Sequence, residues 1–510
     1  MRLYSKSVIK AGILAAAIFM GPMVSASASE SDGISASNNV AMTQNIGVTV
    51  EKSTTDIEIL KSIIAEQRRN GAKVSEDINS SQYGWDLATG RLIEINWEDK
   101  DIEGSISFAG LSGLKYLNCK DNLIENINLE GCTELYILDC SFNSLTSLDL
   151  NSSTKLGKLL CNNNIIETGK LNIGNCKDLY YLMCRDNYYL GELDVSGFSK
   201  LYKLNVIDCN LSKIDVSNAT GLKKFYCSRN NLKELDLSKN TELIKLTCHH
   251  NEIEKLDLNN CRKLIRIGCG NNGLNELLLS NCTELEKLCC GYNNISEIDV
   301  SNHTKLTYLR CPKTDLSDLD IGKCSKLEYL WLEECLSLTS LDVSNCLKLN
   351  ILNCCSTSLE KLDASMCKNL TELYYNYIDN YSELDVSECK NLEVLCCEFT
   401  GIEKLEVNNL KKLRRVKCND SEIKKLDIRN CSELVRLDAF YTKISELDVT
   451  GCGNLKTIYC NFTDVKEIDL SDCVNLEYFC CLGSYITEVD LSKCKKIVKV
   501  VGNDDTKVVK

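Results

Sequence analysis

The chain has 510 residues, of which 44% are hydrophobic and 26% are charged, and its formal net charge is −13 at pH 7. These proportions are typical of a folded soluble protein, and the acidic balance disfavours nucleic acid and anionic membranes as partners because both attract basic surfaces. A single globular core usually stops growing near about 300 residues, so one ordinary compact domain is excluded unless repeats build the fold.

The first 28 residues have the pattern of a secretory signal peptide. Three basic residues precede an apolar run over 11–24, and Ala26, Ser27 and Ala28 form a small-residue cleavage site. An uncleaved anchor over the same residues is the alternative. The rest of the sequence has no run of about 20 apolar residues, so it predicts no membrane span. The pattern therefore predicts secretion.

Residues 29–52 are rich in Ser, Ala, Asn and Thr, which predicts a disordered leader. We assign 53–105 to an N-terminal cap. Within it, apolar residues at helical spacing predict a helix over 55–69, with Asp56 able to cap its start. The segment from Trp85 to Trp97 would complete the cap, because the open end of a repeat stack is an apolar, unpaired edge.

A 21-residue repeat occupies 106–494. Its most regular segment reads LDLSKN at 235–240 and LDVSNC at 341–346, and nineteen such segments follow one another with occasional short insertions. Between them lies L-x-x-L-x-C-x-x-N-x-(I/L), as in Leu243–Ile253. We number this motif from one to eleven, so cysteine stands at position six and asparagine at position nine. Residues 495–510 are assigned to a brief C-terminal cap and tail.

The motif predicts one short strand in each repeat. Leu246 and Cys248 are two residues apart, so on a strand both point to one face, while Lys245 and Thr247 point to the other. One coil cannot bury its own apolar edge, so the coils stack into a solenoid with a parallel sheet. The fold class is therefore an α/β-type repeat solenoid that is mostly β, with a short N-terminal helical cap.

Position nine changes residue type along the chain. Asparagine occupies it in most of the early repeats, as at Asn164 and Asn251, whereas threonine or serine occupies it later, as at Thr314 and Ser421. A hydroxyl satisfies fewer backbone groups than an amide. We therefore expect the loop after the strand to change shape in the later repeats.

Most of the 32 cysteines fall in two rows. Fourteen occupy position six, and twelve occupy the slot five residues after the first residue of each LDxS segment. Other coils place Val206, Leu332, Tyr375 or Ala439 in the first slot. The slot therefore requires an apolar side chain, and buried thiols suit it. We expect free structural thiols, with a disulfide framework or metal clusters as alternatives. Six cysteines lie outside both rows: Cys209, Cys289, Cys335, Cys355, Cys396 and Cys480.

Three of those six, Cys289, Cys396 and Cys480, stand at position five. That position alternates with the buried positions four and six, so the strand pattern predicts that it faces solvent. Exposed thiols are candidates for redox or metal chemistry. Tolerance of free thiols without any such role is the alternative.

The motif is similar to the leucine-rich repeat, with cysteine replacing the leucine at position six. With its 21-residue period, it resembles the internalin J class of bacterial leucine-rich-repeat surface proteins over about 106–494. The resemblance implies a right-handed solenoid with a concave parallel sheet, a ladder of free thiols, and a secreted or cell-surface location in a bacterium. The sequence departs from that class in having no C-terminal immunoglobulin-like module, LPXTG-type sorting motif or mucin-binding repeat.

Catalytic motifs are not apparent in the sequence. The chain has three histidines, of which His249 and His250 are adjacent and His303 occupies a slot of the second cysteine row. A zinc site at His249 and His250 would need further converging ligands. No serine–histidine–acid set, HExxH motif or glycine-rich phosphate loop is visible. We therefore expect a protein that is not an enzyme and has no cofactor or metal.

The variable positions of the concave sheet are the candidate binding surface, because solenoids bind ligands on such faces. Trp, Tyr and Arg dominate interface energies, and they gather here at Tyr308, Arg310, Tyr329, Trp331, Tyr374 and Tyr377. We predict a protein or glycoprotein ligand. Two alternatives remain: the rings only stabilise the sheet, or the chain is a spacer or surface-layer component. A second, weaker group comprises Phe440, Tyr441, Tyr459, Phe462 and Tyr478.

Overall fold

A computed structural model describes residues 50–379 and 383–509. The predicted signal peptide over 1–28 and almost all of the predicted leader lie outside the described residues. Over the described part of the chain, the repeats form a stack of coils, each of which contributes a short strand to one long sheet. Within this part, no helix is long and apolar enough to cross a membrane.

The long sheet has 21 strands. Tyr83–Trp85 pairs antiparallel with Leu92–Asn96, and every later pairing is parallel. In chain order the strands are Tyr83–Trp85, Leu92–Asn96, Tyr116–Asn118, Ile137–Asp139, Lys158–Leu160, Tyr181–Met183, Lys203–Asn205, Lys224–Tyr226, Lys245–Thr247, Arg266–Gly268, Lys287–Cys289, Tyr308–Arg310, Tyr329–Trp331, Ile351–Asn353, Glu372–Tyr374, Val394–Cys396, Arg415–Lys417, Arg436–Asp438, Thr457–Tyr459, Tyr478–Cys480 and Lys499–Val501.

A second set of short strands carries the chain between the strands of the long sheet. They form six small parallel sheets: Glu103–Ser107 with Leu123–Asn128, Leu148–Asp149 with Leu171–Asn172, Lys255–Asp257 with Glu276–Leu278, Lys361–Asp363 with Glu383–Asp385, Lys404–Glu406 with Lys425–Asp427 and Glu446–Asp448, and Glu488–Asp490 with Lys507–Val509.

The register of the long sheet follows the motif numbering. Lys245 pairs with Arg266, and Thr247 pairs with Gly268, so position three lies beside position three and position five beside position five. The same holds where the repeat is longer, as between Tyr329 and Ile351. Insertions are therefore accommodated outside the strands. Equivalent side chains form continuous columns along the sheet, about 4.8 Å apart.

The core is one continuous apolar cluster that runs through the stack. Leu246 and Cys248 are fully buried, as the strand pattern predicted. All 32 cysteines are free thiols, and all except Cys289 are buried. In the second row, most of the thiols also donate to a carbonyl oxygen of the preceding coil, as from Cys431 Sγ to Val407 O at 3.1 Å. The expectation of free structural thiols is confirmed.

A helix, α1, spans Thr54–Arg69. Ser53 is its N-cap, because the Ser53 hydroxyl accepts from the Asp56 backbone N–H at 3.3 Å. The expectation that Asp56 caps the helix is wrong, since Asp56 lies within the first turn, three residues after the N-cap. The Asp56 carboxylate is buried and accepts from Arg91 Nε at 2.7 Å and from the Leu92 backbone N–H at 2.9 Å.

Position nine links neighbouring coils where it is asparagine. Asn164 Nδ2 donates to the carbonyl oxygens of Cys140 and Cys161, and its Oδ1 accepts from the Leu145 backbone N–H. At the same position in a later coil, Thr357 Oγ1 donates to Cys354 O within its own coil.

The turn itself does not change between early and late repeats. The residue at position eight has a left-handed backbone throughout, with φ of 56° at Asn163, 57° at Tyr377 and 54° at Phe462. The expected change of loop shape is therefore wrong. The reason is that backbone hydrogen bonds between successive turns maintain the turn in both kinds of repeat, as from Asn163 N to Arg185 O and from Phe462 N to Leu482 O. Only the side-chain bonds differ.

Two of the cysteines outside the rows, Cys209 and Cys335, occupy position nine. Cys209 Sγ donates to Cys184 O at 3.0 Å, and Cys335 Sγ donates to Cys311 O at 3.2 Å. Each thiol thus makes the bond to the preceding coil that the asparagine amide makes elsewhere.

Candidate functional site

The predicted site residues lie on the long sheet, with one exception. Positions four and six point into the core, so positions three and five project from the outer surface of the sheet. Tyr308 and Arg310 belong to one strand, Tyr329 and Trp331 to the next, and Tyr374 to a strand two places further on. We call these five residues the aromatic patch.

The first part of the patch is a stack of three rings. The rings of Tyr308 and Tyr329 lie 4.3 Å apart between centroids and are nearly parallel, at 4°. Tyr329 and Trp331 are two residues apart on one strand, and their rings lie 5.8 Å apart at 11°. In-register pairing brings Tyr308 beside Tyr329, and the strand alternation brings Trp331 to the same face.

Trp331 also reaches Tyr374 across an intervening strand. Their ring centroids lie 6.2 Å apart, with the planes tilted by 41°. Asn353 stands between them in the position-five column and is only 4% exposed. Its Oδ1 accepts from the Cys355 backbone N–H at 2.9 Å, which keeps its short side chain close to the sheet. The two rings therefore close over Asn353.

Two carboxylates hold the rings of Trp331 and Tyr374 in place. Trp331 Nε1 donates to Glu333 Oε2 at 2.9 Å, and the Tyr374 hydroxyl donates to Glu372 Oε2 at 2.7 Å. Each acid lies two residues from its ring in the sequence: Glu372 is on the same strand as Tyr374, and Glu333 lies in the turn after the strand of Trp331. The prediction from sequence did not include these supports, although the i, i+2 spacing of an acid and an aromatic residue was visible.

Burial determines the protonation of the phenols in the patch. It raises the pKa of Tyr308, and also that of Tyr374, where the neighbouring Glu372 carboxylate adds to the effect. It raises the pKa of Tyr329 as well, although Tyr308 and Arg310 oppose that increase. The three phenols therefore stay neutral at physiological pH, and the Tyr374 hydroxyl keeps its hydrogen bond to Glu372. Arg310, in register with Trp331, adds a positive charge.

Tyr377 lies outside the aromatic patch. It stands at position eight, after the strand has ended, with a left-handed backbone and 56% of its surface exposed. Its ring stacks on Phe399 of the next coil at 4.9 Å, at an angle of 6°. The prediction that Tyr377 joins the patch is therefore wrong, because the turn at position eight directs it away from the sheet surface.

The position-five cysteines differ from the prediction. Cys289 is partly exposed, but Cys396 and Cys480 are 6% and 7% exposed. Cys396 lies between the longer side chains of Tyr374 and Lys417, which cover it, whereas Gly268 leaves one side of Cys289 open. Burial raises the pKa of Cys396 to about 11. The expectation of exposed thiols is thus wrong for two of the three.

The second aromatic group forms a connected cluster. Tyr441 stacks on Phe462 at 4.6 Å, Phe440 contacts both Tyr441 and Tyr459 edge-on, and Tyr459 contacts Tyr478 at 5.0 Å. Tyr459 and Tyr478 belong to the long sheet, while Tyr441 and Phe462 stand at position eight. The cluster therefore runs from the sheet surface onto the adjoining turns.

The histidines are not arranged as a metal centre. His249 and His250 contact each other edge-on at 5.2 Å, and burial lowers the pKa of His249 to about 4. His303 is fully buried in the second cysteine row. No group of three or more histidine, cysteine, aspartate or glutamate side chains in the described ranges could hold a metal ion.

Solved structures provide the comparison with known proteins. The functional domain of InlJ from Listeria monocytogenes, which includes a cysteine ladder, is 33% identical over 64% of this chain and 73% of that chain, with a TM-score of 0.60. No family model and no curated protein sequence matches.

Two more distant structures share the fold. YopM from Yersinia enterocolitica WA-314 is 19% identical with a TM-score of 0.57, over 78% of this chain and 91% of that chain. The PEPR1–AtPEP1 structure is 17% identical with a TM-score of 0.57, over 88% of this chain and 82% of that chain. The register of the coils and the free-thiol ladder agree with the similarity to InlJ. The chain belongs to the internalin J class of leucine-rich-repeat proteins.

Proposed function

We propose that this is a secreted or cell-surface bacterial protein that binds a protein or glycoprotein ligand through the aromatic patch. The observation that carries the proposal is the continuous contact from Tyr308 through Tyr329 and Trp331 to Tyr374 on the open surface of the sheet. Secretion rests on the signal-peptide pattern in the sequence and on membership of the internalin J class.

The geometry of the patch suits recognition. Tyrosine, tryptophan and arginine contribute most to binding energy at protein interfaces, and aromatic side chains lose little conformational entropy when they bind. The bonds from Trp331 to Glu333 and from Tyr374 to Glu372 fix two rings before a ligand arrives. Such preorganisation lowers the cost of association.

A role restricted to sheet stability accounts less well for the patch. Cross-strand ring pairs do stabilise sheets, and the Tyr308–Tyr329 stack fits that role. However, all four rings remain partly exposed, and Trp331 meets Tyr374 across two strand steps rather than one. An aromatic surface of this extent on a soluble protein is more typical of a binding site.

The test is capture of ligands from cell-surface and secreted extracts, followed by mass spectrometry and measurement of affinity. The test variant is Trp331→Ala with Tyr374→Ala. The matched control is Tyr189→Ala with Tyr485→Ala, because those tyrosines are 63% and 64% exposed and lie off the long sheet. We expect the test variant to lose about 2 kcal/mol or more of binding free energy and the control to bind as wild type does.

Unchanged affinity of the test variant for the captured ligand would show that the patch is not the binding surface. If the wild-type protein captures no ligand but self-associates in light scattering, the spacer or surface-layer role is favoured instead.

A further inference from the structure

Basic side chains dominate one stretch of the long sheet. Over nine consecutive strands, from Lys158–Leu160 to Tyr329–Trp331, positions three and five carry seven basic residues and no acidic one. Six of the seven form what we call the basic column, at position three: Lys158, Lys203, Lys224, Lys245, Arg266 and Lys287. The whole chain has a net charge of −13. The column is therefore opposite in sign to the protein that carries it.

The register places these charges directly beside one another. Four successive pairings on the sheet are basic on both sides: Lys203 with Lys224, Lys224 with Lys245, Lys245 with Arg266, and Arg266 with Lys287. Neighbouring strands of a sheet are about 4.8 Å apart, and like charges that face each other across strands destabilise the sheet. A bound polyanion would relieve this repulsion.

Tyrosine rings contact lysines of the basic column, among them Lys203 and Lys287. Lys203 is only 8% exposed, and its Nζ lies 4.8 Å from the Tyr181 ring centroid and 5.9 Å from that of Tyr226. Lys287 Nζ lies 5.8 Å from the Tyr308 ring centroid. Cation–π contacts of this kind offset part of the repulsion. Because Tyr308 also begins the aromatic patch, the basic column and the patch form one continuous surface.

We propose that the basic column binds an acidic segment of the polypeptide ligand whose neighbouring residues contact the aromatic patch. This inference rests on the proposed function, since it uses the same sheet surface. From Lys158 to Lys287 there are six strand steps, or about 29 Å. An extended peptide of about nine residues spans that length. The ligand segment is therefore a run of about nine residues rich in aspartate and glutamate.

A polypeptide fits the adjoining patch better than an anionic polysaccharide does. The fully desolvated centres of protein interfaces are enriched in tyrosine, tryptophan and arginine, and the patch adds those three residue types to the end of the column. The acidic ligand would also be guided towards this surface before contact, because a concentrated field of one sign accelerates association with the opposite charge.

The experiment uses the purified full chain and a fluorescent glutamate-rich peptide of about ten residues, a length set by the extended-chain span, with a glutamine peptide of equal length as the neutral reference. Fluorescence anisotropy gives the affinity. The test variant is Lys224→Gln, Lys245→Gln and Arg266→Gln. The control, Lys213→Gln, Lys233→Gln and Lys239→Gln, removes the same charge from exposed positions off the long sheet. Matching thermal unfolding curves establish that both variants are folded.

We expect the test variant to bind the glutamate peptide about tenfold more weakly than wild type, because three charge contacts of modest strength are removed. The control should stay close to wild type. Wild-type affinity should fall as salt is raised, since salt screens exposed charges. Equal weakening of both variants, or equal binding of the glutamine peptide, would overturn the proposal.

Heparin serves as the polysaccharide probe. If heparin binds through the column and the glutamate peptide does not, the partner is an anionic polysaccharide and the proposed polypeptide segment is wrong. The glutamate peptide lacks the neighbouring ligand residues that contact the aromatic patch, so its binding reports on the column alone. Loss of ligand capture in the Trp331→Ala, Tyr374→Ala variant therefore reports on the patch, and loss of peptide binding in the triple variant reports on the column.

Discussion

The side-chain amide of Asn164 donates a hydrogen bond to the carbonyl oxygen of Cys140 in the preceding coil, at 3.1 Å. Its Oδ1 also accepts from the buried Leu145 backbone N–H at 3.0 Å. The amide also donates to the carbonyl oxygen of Cys161 in its own coil, so one side chain satisfies polar backbone groups of two coils. In a solenoid, stability is close to a sum of nearest-neighbour terms, so this link contributes directly to the interface between those coils.

We expect Asn164→Ala to destabilise the coils around it by about 2–3 kcal/mol, because buried backbone groups lose their partners. Thr357→Val is the matched comparison, since it removes a single bond within one coil, and should cost about 1 kcal/mol. Native-state hydrogen exchange resolves the effect coil by coil. Equal costs for the two variants would contradict the inter-coil role of the asparagine.

The buried thiols predict a loss of stability in alkali. Burial raises the pKa of Cys355 from the ordinary 9.0 to about 12, and that of Cys396 to about 11. The unfolded state then ionises first, so the stability of the fold is complete below about pH 9 and declines as pH rises above it, by about 1.4 kcal/mol per pH unit for each such thiol.

Cys418→Ala tests this dependence on a single thiol, since burial raises the pKa of Cys418 and the next coil has Ala439 in the same slot. Urea unfolding under reducing conditions between about pH 8 and pH 10 should give a shallower decline for Cys418→Ala than for wild type. Parallel profiles would mean that the thiol does not contribute.

The stack of Tyr308 on Tyr329 should be measurable as a coupling energy. Parallel rings in contact are worth about 1 kcal/mol beyond their buried area. A double-mutant cycle with Tyr308→Ala and Tyr329→Ala, read by chemical unfolding, should therefore return about 1 kcal/mol of coupling. A cycle between Tyr308 and Tyr485, which are not in contact, should return none. Zero coupling in the first cycle would mean that the two rings do not stack in solution.

The ion pair between Asp56 and Arg91 should hold helix α1 against the first strands. Asp56 is 1% exposed, and its carboxylate accepts from the Arg91 guanidinium and from the Leu92 backbone N–H. We expect Asp56→Ala to cost about 3 kcal/mol, because a buried backbone N–H and a partly buried cation lose their partner. Glu58→Ala, at an exposed site on the same helix, is the control. Faster hydrogen exchange confined to the N-terminal region is the expected signature.

The period of the sequence was sufficient to predict the repeat, the direction of the side chains within each strand of the long sheet, and the free-thiol rows. Insertions do not disturb these predictions, because the strands keep their register. The position-nine role of Cys209 and Cys335 was also encoded in their spacing, three residues after Val206 and Leu332. Neither residue fits the two cysteine rows, and only alignment with the asparagine row reveals the role.

Other features depend on neighbours that the motif does not specify. Tyr377 leaves the patch because the backbone turns at position eight, one residue beyond the face that alternation describes. Cys396 is buried because long side chains happen to flank it in its column, and Cys289 stays partly open beside Gly268. The contact of Trp331 with Tyr374 requires a short residue between them, which only the register reveals.

The central claim is that the ligand contacts the aromatic patch, and site-specific photo-crosslinking tests it most directly. A photoreactive phenylalanine derivative at Tyr329 should crosslink to the ligand, whereas the same derivative at Tyr485, off the long sheet, should not. Crosslinking at Tyr485 with none at Tyr329 would contradict the account.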